Sequence, residues 1–400
     1  MSFQAAQQPC PCESGRNYFE CCGNSLNVDL DFIADLSKQQ HPDIQKKLNQ
    51  ELLTAIAEIN STPDLFPVTI DFLADRVELV KMSPYWYSES NFLDRQRIQG
   101  RCAIRADVQW LSDSVEQNNW QLTPFIFHSA FCGSTLMVRA LEQLFDCLPL
   151  KEPGALGGLL DYALSRGYSE TKETTYQKQV LSLLSRRFSR DQISVIKAND
   201  LHNAYINALM KSQFDFPVLL MYTGLNDFIF GCLKTQDRQQ WIADRFEYTV
   251  DYFKNRFELS DIEQLVPDQF HQLDYAKKAA AYWSFNILLF FEIIEEFPDR
   301  VKTLDFNAML ENPLSSINAC GCWLGLSKLP GVNPKIELSW LMGQHAKNLN
   351  QTYSPEQRQD DMLQVLRENK DVLPEAEALA RKILGNRYPD NGLPLKLQYD

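Results

Sequence analysis

The run Phe125-Ile-Phe-His-Ser-Ala-Phe-Cys-Gly-Ser-Thr-Leu-Met-Val-Arg-Ala-Leu141 constrains this chain more than any other stretch. Residues Phe125 to His128 read as a short buried strand, small residues follow, and a helical pattern then runs to about Phe145. Gly133 permits a tight turn and a close approach of a ligand to the main chain. Ser134 and Thr135 stand where the helix begins, with hydroxyls able to cap it. The first amides of such a helix lack internal partners, and its dipole favours an anion there. Strand, Gly-Ser-Thr, helix is thus the outline of a phosphate cradle, and equally that of a plain strand-to-helix turn with an N-cap. No lysine lies between residues 121 and 150, so the Walker pattern is missing and an ordinary ATPase or GTPase is disfavoured.

Downstream, apolar strands alternate with helical segments. Cys147 to Leu150, Ile193 to Lys197, Val218 to Tyr222 and Val301 to Phe306 read as strands. Between them fall a loop or helix from Leu156 to Arg166 and helices over Tyr176–Phe188 and Leu201–Ser212, and residues 237 to 297 are strongly helical. This predicts an α/β fold, a mostly parallel sheet with helices on both faces. Ligands of such sheets bind beyond the carboxyl ends of the strands. Glu152, Lys197 and Thr223 each follow a strand and are expected to converge near Gly133. The plainer roles are that Glu152-Pro153 ends a strand, that Lys197 pairs with Asp200, and that His128 is a core histidine. Asp237, Arg238, Asp244 and Arg245 read as a solvated face, and Cys132 as a buried, inert thiol.

Upstream, His41 to Asn60 has a helical stripe, Asp64-Leu-Phe-Pro reads as a turn or loop start, and Val68–Phe72 and Val77–Val80 as short strands. Tyr85-Trp86-Tyr87 could line an acceptor pocket, although packing is the simpler role. In the tail, Ser354-Pro355 with Gln357 forms a capping box, and Pro374 opens a helix that Gly385 closes. Residues 386–400 are expected to wrap the surface or fray. A net charge of −13 argues against nucleic-acid binding and attachment to anionic membranes. The longest apolar run, Ala279 to Phe291, is too short to span a bilayer, and the first eight residues lack the features of a signal peptide. A cytoplasmic location is expected.

Residues 9–22, Pro-Cys-Pro-Cys-Glu-Ser-Gly-Arg-Asn-Tyr-Phe-Glu-Cys-Cys, hold four cysteines able to converge on one tetrahedral Zn²⁺, or else to form a disulfide knot. A reducing compartment favours the metal. The stretch resembles the SEC-C motif, from which only Glu13 departs. The resemblance implies Cys10, Cys12, Cys21 and Cys22 as ligands of a structural zinc, with Arg16 and Tyr18 shaping a surface for a protein partner.

Cys132-Gly133-Ser134-Thr135-Leu136 resembles the 5′-phosphosulfate loop of the sulfotransferases, although the place of the family's basic residue holds Phe131. Further segments resemble that family in order: Val195-Ile-Lys197, Met221 to Lys234, Leu304-Asp-Phe-x-x-Met-Leu-Glu-Asn-Pro, and Cys322-Trp-Leu-Gly-Leu. The resemblance covers roughly residues 120 to 327 and implies a P-loop-like sulfotransferase fold with a 3′-phosphoadenylyl sulfate donor. It makes Cys132, Gly133, Ser134, Thr135 and Thr223 donor contacts, Lys197 the cation on the bridging oxygen, and Glu152 the base for a small-molecule or protein acceptor. The family's Arg and Ser for the 3′-phosphate are Thr223 and Gly231 here, and its acceptor-activating histidine is Asn199. The chain is accordingly expected to comprise a zinc module (1–26), a mixed α/β extension (27–120), the α/β domain (121–335) and a helical tail (336–400). Three functions follow: a sulfuryl transferase, a non-catalytic P-loop-like protein that binds a nucleotide or nothing and whose zinc module docks a partner, or a different phosphate-ester transferase on the same fold.

Overall fold

The computed structural model describes residues 28–29, 60–94, 98, 103–114, 123–166, 170–211, 215–257, 273–345, 348–352 and 354–399. Backbone packing divides the chain into two compact units. Met1–Ile126, Leu141–Pro217 and Gly321–Gly331 make the first, and Phe127–Ala140, Val218–Cys320 and Val332–Asp400 the second.

The first unit carries a four-stranded sheet of β1 (Val28–Asp29), β2 (Leu65–Asp71), β3 (Arg76–Lys81) and β4 (Ala103–Ala106), ordered β1-β4-β3-β2. β2 and β3 form an antiparallel hairpin whose turn is closed by Asp71 Oδ1, which accepts from the amides of Leu73 and Ala74. The sequence places a turn or loop start at Asp64-Leu-Phe-Pro, yet β2 already begins at Leu65. A register shift between Pro67 and Thr69 accommodates the proline, which has no amide to give the ladder. The aromatic cluster sits on α1 (Pro84–Glu89), where Tyr87 is buried and donates to the Pro63 carbonyl at 2.7 Å, while Tyr85 is exposed. Packing is the role of Tyr87. α2 (Val108–Ser114) follows β4. The stripe predicted over His41–Asn60 lies outside the described residues but for Asn60.

A second sheet contains β5 (Phe125–His128), β6 (Cys147–Lys151), β7 (Ile193–Lys197), β8 (Val218–Tyr222) and β9 (Val301–Asp305) in the order β6-β7-β5-β8-β9. β5 and β6 each pair with β7, and β8 pairs with β9, all parallel. β5, β6 and β8 are buried along their whole length, as strands covered on both faces must be. The fold is α/β, as the alternation of elements implies. Its intervening helices are α3 (Ser134–Leu144), α4 (Ala155–Arg166), α5 (Glu170–Leu184), a 3-10 turn over Asp200–Tyr205, and α6 (Ile206–Lys211).

Two close contacts and one half-buried cation order the first unit. At Gly154 and Gly158 a Cβ would come within 2.4 Å of the Val68 carbonyl oxygen and 1.7 Å of that of Ile70, so only glycine lets α4 lie this close to β2. The Arg186 guanidinium donates to the carbonyls of Leu183, Thr62 and Leu65 at 2.6–2.8 Å, and burial lowers its pKa to about 10.

The second unit adds α7 (Leu225–Leu233), α8 (Gln236–Arg256), α9 (Tyr275–Glu296), α10 (Phe306–Glu311), α11 (Pro313–Trp323) up to Cys320, and α12 (Pro334–Met342). A hairpin of β10 (Gln344–His345) and β11 (Asn348–Thr352) precedes α13 (Pro355–Glu368) and α14 (Leu373–Leu384). α9 is apolar nearly all round and packs against α14, α8 and α7. Its buried Ser284 and Asn286 bond back to the carbonyls of Ala280 and Tyr282. Among the described residues no helix is long and apolar enough to cross a membrane. α13 has the predicted capping box, and Gly385 ends α14 with φ 54°. The hairpin is an addition that the sequence reading lacks. The tail wraps rather than frays: Thr303 donates its amide to Leu395 and accepts from Leu397, while Leu393 donates to the Tyr222 hydroxyl.

Candidate functional site

The loop after β5 is shaped by backbone conformations that L-residues avoid. Ala130, Phe131 and Gly133 have φ of 64°, 49° and 69°. Two non-glycine residues in the left-handed region cost on the order of 1–3 kcal/mol each. The Ser129 amide and the Cys132 thiol both donate to the Met221 carbonyl, at 3.0 and 3.4 Å, and the Ala130 amide donates to His128 Nδ1. Cys132 and His128 are therefore buried and turned inward, as the plainer expectation for each has it.

Beyond Cys132 the polar groups are differently placed. Among the described residues, the amides of Phe131, Gly133, Ser134, Thr135 and Leu136 donate to no other residue, and the first backbone bond of α3 is Met137 to Gly133 at 2.9 Å. The Ser134 and Thr135 hydroxyls likewise bond to no described residue, although both side chains are largely buried. At the end of β8, Thr223 is fully buried, and its Oγ1 has no partner among the described residues. Its carbonyl accepts from Trp283 Nε1 at 2.9 Å.

Side chains hold this loop by its apolar parts. A Cβ on Gly133 would fall 2.1 Å from the Phe306 ring, and Arg358 lies over that ring at 5.0 Å while pairing with Asp227 at 2.7 Å. Phe131 packs onto Gly231 of α7, where a Cβ would meet its ring at 2.7 Å. The same ring contacts Phe228 and Trp241 edge-on, and Arg238 lies over it at 5.1 Å while donating to the Gly231 carbonyl at 3.2 Å. The predicted solvated face is thus corrected in part. Asp237 and Asp244 are exposed, whereas Arg238 and Arg245 are half-buried on aromatic rings. One sequence signal was available: glycine inside a helix costs about 1 kcal/mol relative to alanine and implies a large neighbour.

In the first unit, Glu152 and Lys197 come together. Glu152 follows β6 with φ 55°, and its amide continues the ladder by donating to the Lys197 carbonyl at 2.7 Å. Lys197 Nζ donates to Glu152 Oε1, and Asn199 Nδ2 donates to Oε2 at 2.7 Å. Lys197 is 1% exposed, lies 5.6 Å from the Phe92 ring centre, and pairs with Glu152 rather than Asp200. Asn199 also caps the 3-10 turn, accepting from Leu201, and donates its amide to His202 Nδ1. The place of the expected acceptor-activating histidine is thus taken by a residue that orients the carboxylate instead. That role of Asn199 escaped the sequence reading.

Glu152 and Lys197 belong to the first unit, and Cys132, Gly133, Ser134, Thr135 and Thr223 to the second. Cys10, Cys12, Cys21 and Cys22 lie outside the described residues, and among the described residues no cluster of His, Cys, Asp or Glu is arranged to hold a metal.

No family model matches the sequence, and no curated protein does. Among solved structures the chain is similar to a sulfotransferase from Alicyclobacillus acidocaldarius, with 13% identity over 66% of this chain and 96% of that one and a TM-score of 0.30. It is also similar to sulfotransferase STF9 from Mycobacterium avium, with 14% identity, 62% and 76% coverage and a TM-score of 0.34. Likeness at this level leaves the chemistry to the residues themselves.

Proposed function

We propose that the chain is a sulfotransferase-type enzyme whose 129–136 loop takes the phosphosulfate end of a nucleotide donor. The observation that supports this most is that, among the described residues, the amides of Phe131, Gly133, Ser134, Thr135 and Leu136 donate to no other residue, and neither do the Ser134 and Thr135 hydroxyls. A helix start with its amides and hydroxyls unmatched in a largely buried setting is stabilised by an anion. In the transfer, the acceptor oxygen bonds to sulfur, the bridging S–O bond breaks, and the leaving adenosine 3′,5′-bisphosphate keeps that electron pair. The acceptor's proton goes to a general base; of the residues the sequence nominates, Glu152 has a carboxylate with lone pairs beyond the two occupied by Lys197 and Asn199. Lys197 orients the Glu152 carboxylate. With Thr223 and Gly231 in place of the family's Arg and Ser, Arg238 is the cation we assign to the donor's 3′-phosphate.

The burial of Lys197 in its ion pair favours a second reading, a non-catalytic protein that binds a nucleotide or none. Thermal unfolding with adenosine 3′,5′-bisphosphate or ATP decides between them. At 100 times Kd a ligand adds about 2.7 kcal/mol, and a shift with the bisphosphate alone supports the enzyme. No shift with either overturns it.

For residues 9–22 we propose one structural Zn²⁺ on Cys10, Cys12, Cys21 and Cys22, presenting a surface to a protein partner. Cobalt substitution should give the thiolate charge-transfer bands of a four-sulfur site. Their loss in Cys12→Ser would agree, and their absence from the native chain would refute the assignment.

A further inference from the structure

The loop reaches its conformation against the preference of two of its own residues, and one side chain answers for it. Ala130 and Phe131 both sit in the left-handed region, where an alanine or a phenylalanine does not stay unaided. Relaxing φ at Phe131 would rotate the peptide units on either side and turn the neighbouring amides away from one another. The backbone bonds of Ser129 and Ala130 fix only the entrance to this segment. What grips Phe131 itself is its ring: Gly231 beneath, Phe228 and Trp241 at the edges, and Arg238 across the face. Each contact lies in the same compact unit as the loop.

We infer that Phe131 is the positioning residue of the anion loop, an apolar anchor that pre-organises the amides of residues 131–136. The inference rests on the loop's reading as an anion site. A loop already in its binding conformation loses less conformational freedom when the ligand arrives, so a side chain that never touches the ligand raises affinity. Gly231 is the other half of the device. Its missing side chain is the space the ring occupies, and any Cβ there pushes the ring out. Residue 231 can therefore govern binding through Phe131.

The test is isothermal titration of adenosine 3′,5′-bisphosphate into the full chain and four variants: Phe131→Ala, Gly231→Ala, the double variant, and Phe131→Trp. Phe131→Ala is expected to weaken binding 10- to 100-fold, and Gly231→Ala by a similar factor. The double variant should be no worse than the weaker single, because Gly231→Ala has nothing left to displace. In the Phe131→Ala background, Gly231→Ala should raise Tm while affinity stays low, a divergence that a merely structural role would not produce. Phe131→Trp should recover part of the affinity. Should Phe131→Ala not fold, Gly231→Ala and Phe131→Trp carry the test. If the native chain binds and both single variants bind within twofold of it, the anchor is refuted and the anion reading stands. If the native chain does not bind, both fall.

Discussion

The loop after β5 and the cluster after β6 and β7 handle polar groups in opposite ways. Around Glu152 every charge is matched: Lys197 on one oxygen, Asn199 on the other, and the Asn199 amide on His202. Around Ser134 the apolar groups are matched, ring on glycine and guanidinium on ring, while the amides of Gly133, Ser134, Thr135 and Leu136 and the Ser134 and Thr135 hydroxyls have no partner among the described residues. The contrast separates a cluster that stabilises itself from a loop prepared for something else. Removing a group from the first should cost folding, and removing one from the second should cost binding.

The largest effect should come from Lys197→Met. Leaving the Glu152 carboxylate largely buried without its cation costs about 3–5 kcal/mol, measurable by urea unfolding, and much of it should return in Lys197→Met/Glu152→Leu. A loss below about 1 kcal/mol would mean that water serves Glu152 as well as lysine does, and the contrast would collapse.

A group in the second unit gives the next effect. Burial pushes the Tyr222 hydroxyl up to about 12, so its protonated form is the one the fold holds. Its stabilisation is complete below pH 10, where the unfolded tyrosine begins to ionise, and is lost between about 10 and 12. Roughly 1–3 kcal/mol more should disappear across that window in the native chain than in Tyr222→Phe, as denaturant midpoints at pH 9 and 11.5 would register.

Asn199→Ala should cost about 1–2 kcal/mol, since it removes both a partner of Glu152 and the cap of the 3-10 turn. Smallest of all for folding is Ser134→Ala, expected within about 0.5 kcal/mol of the native chain. That same change should abolish or sharply reduce the thermal shift with adenosine 3′,5′-bisphosphate. A Ser134→Ala chain with reduced stability and an intact shift would reverse the assignment of the two regions.

The strands of the parallel sheet were the most legible part of the sequence. β5, β7 and β8 start and stop where expected because a strand buried on both faces is a short apolar run with abrupt ends. α5 begins six residues before its predicted start, because its first turns, Glu170-Thr-Lys-Glu-Thr-Thr, are polar and lack an apolar stripe. The β2 start was missed because a bulge can seat a proline that a regular ladder would not. In the candidate site, residue types at strand ends pointed to Glu152 and Lys197 but not to their direct pairing, nor to Asn199 on the second carboxylate oxygen, which depends on the 3-10 turn that follows. Phe131 and Gly231 looked like two separate departures from a family pattern. In the fold they are in contact, the ring of the first filling the space left by the second.

The tail's hold on Thr303 bears on how the molecule keeps to itself. Strand β9 ends the order of its sheet, and a free rim of main-chain donors and acceptors invites a second copy to dock alongside. Here the chain's own last residues take up the amide and carbonyl of Thr303 and tuck Leu393 and Leu397 away from water. Proteolytic trimming past Leu393 would remove both leucines and uncover the rim and the apolar surface beneath them, so the trimmed chain should aggregate more readily with no change in the 129–136 loop.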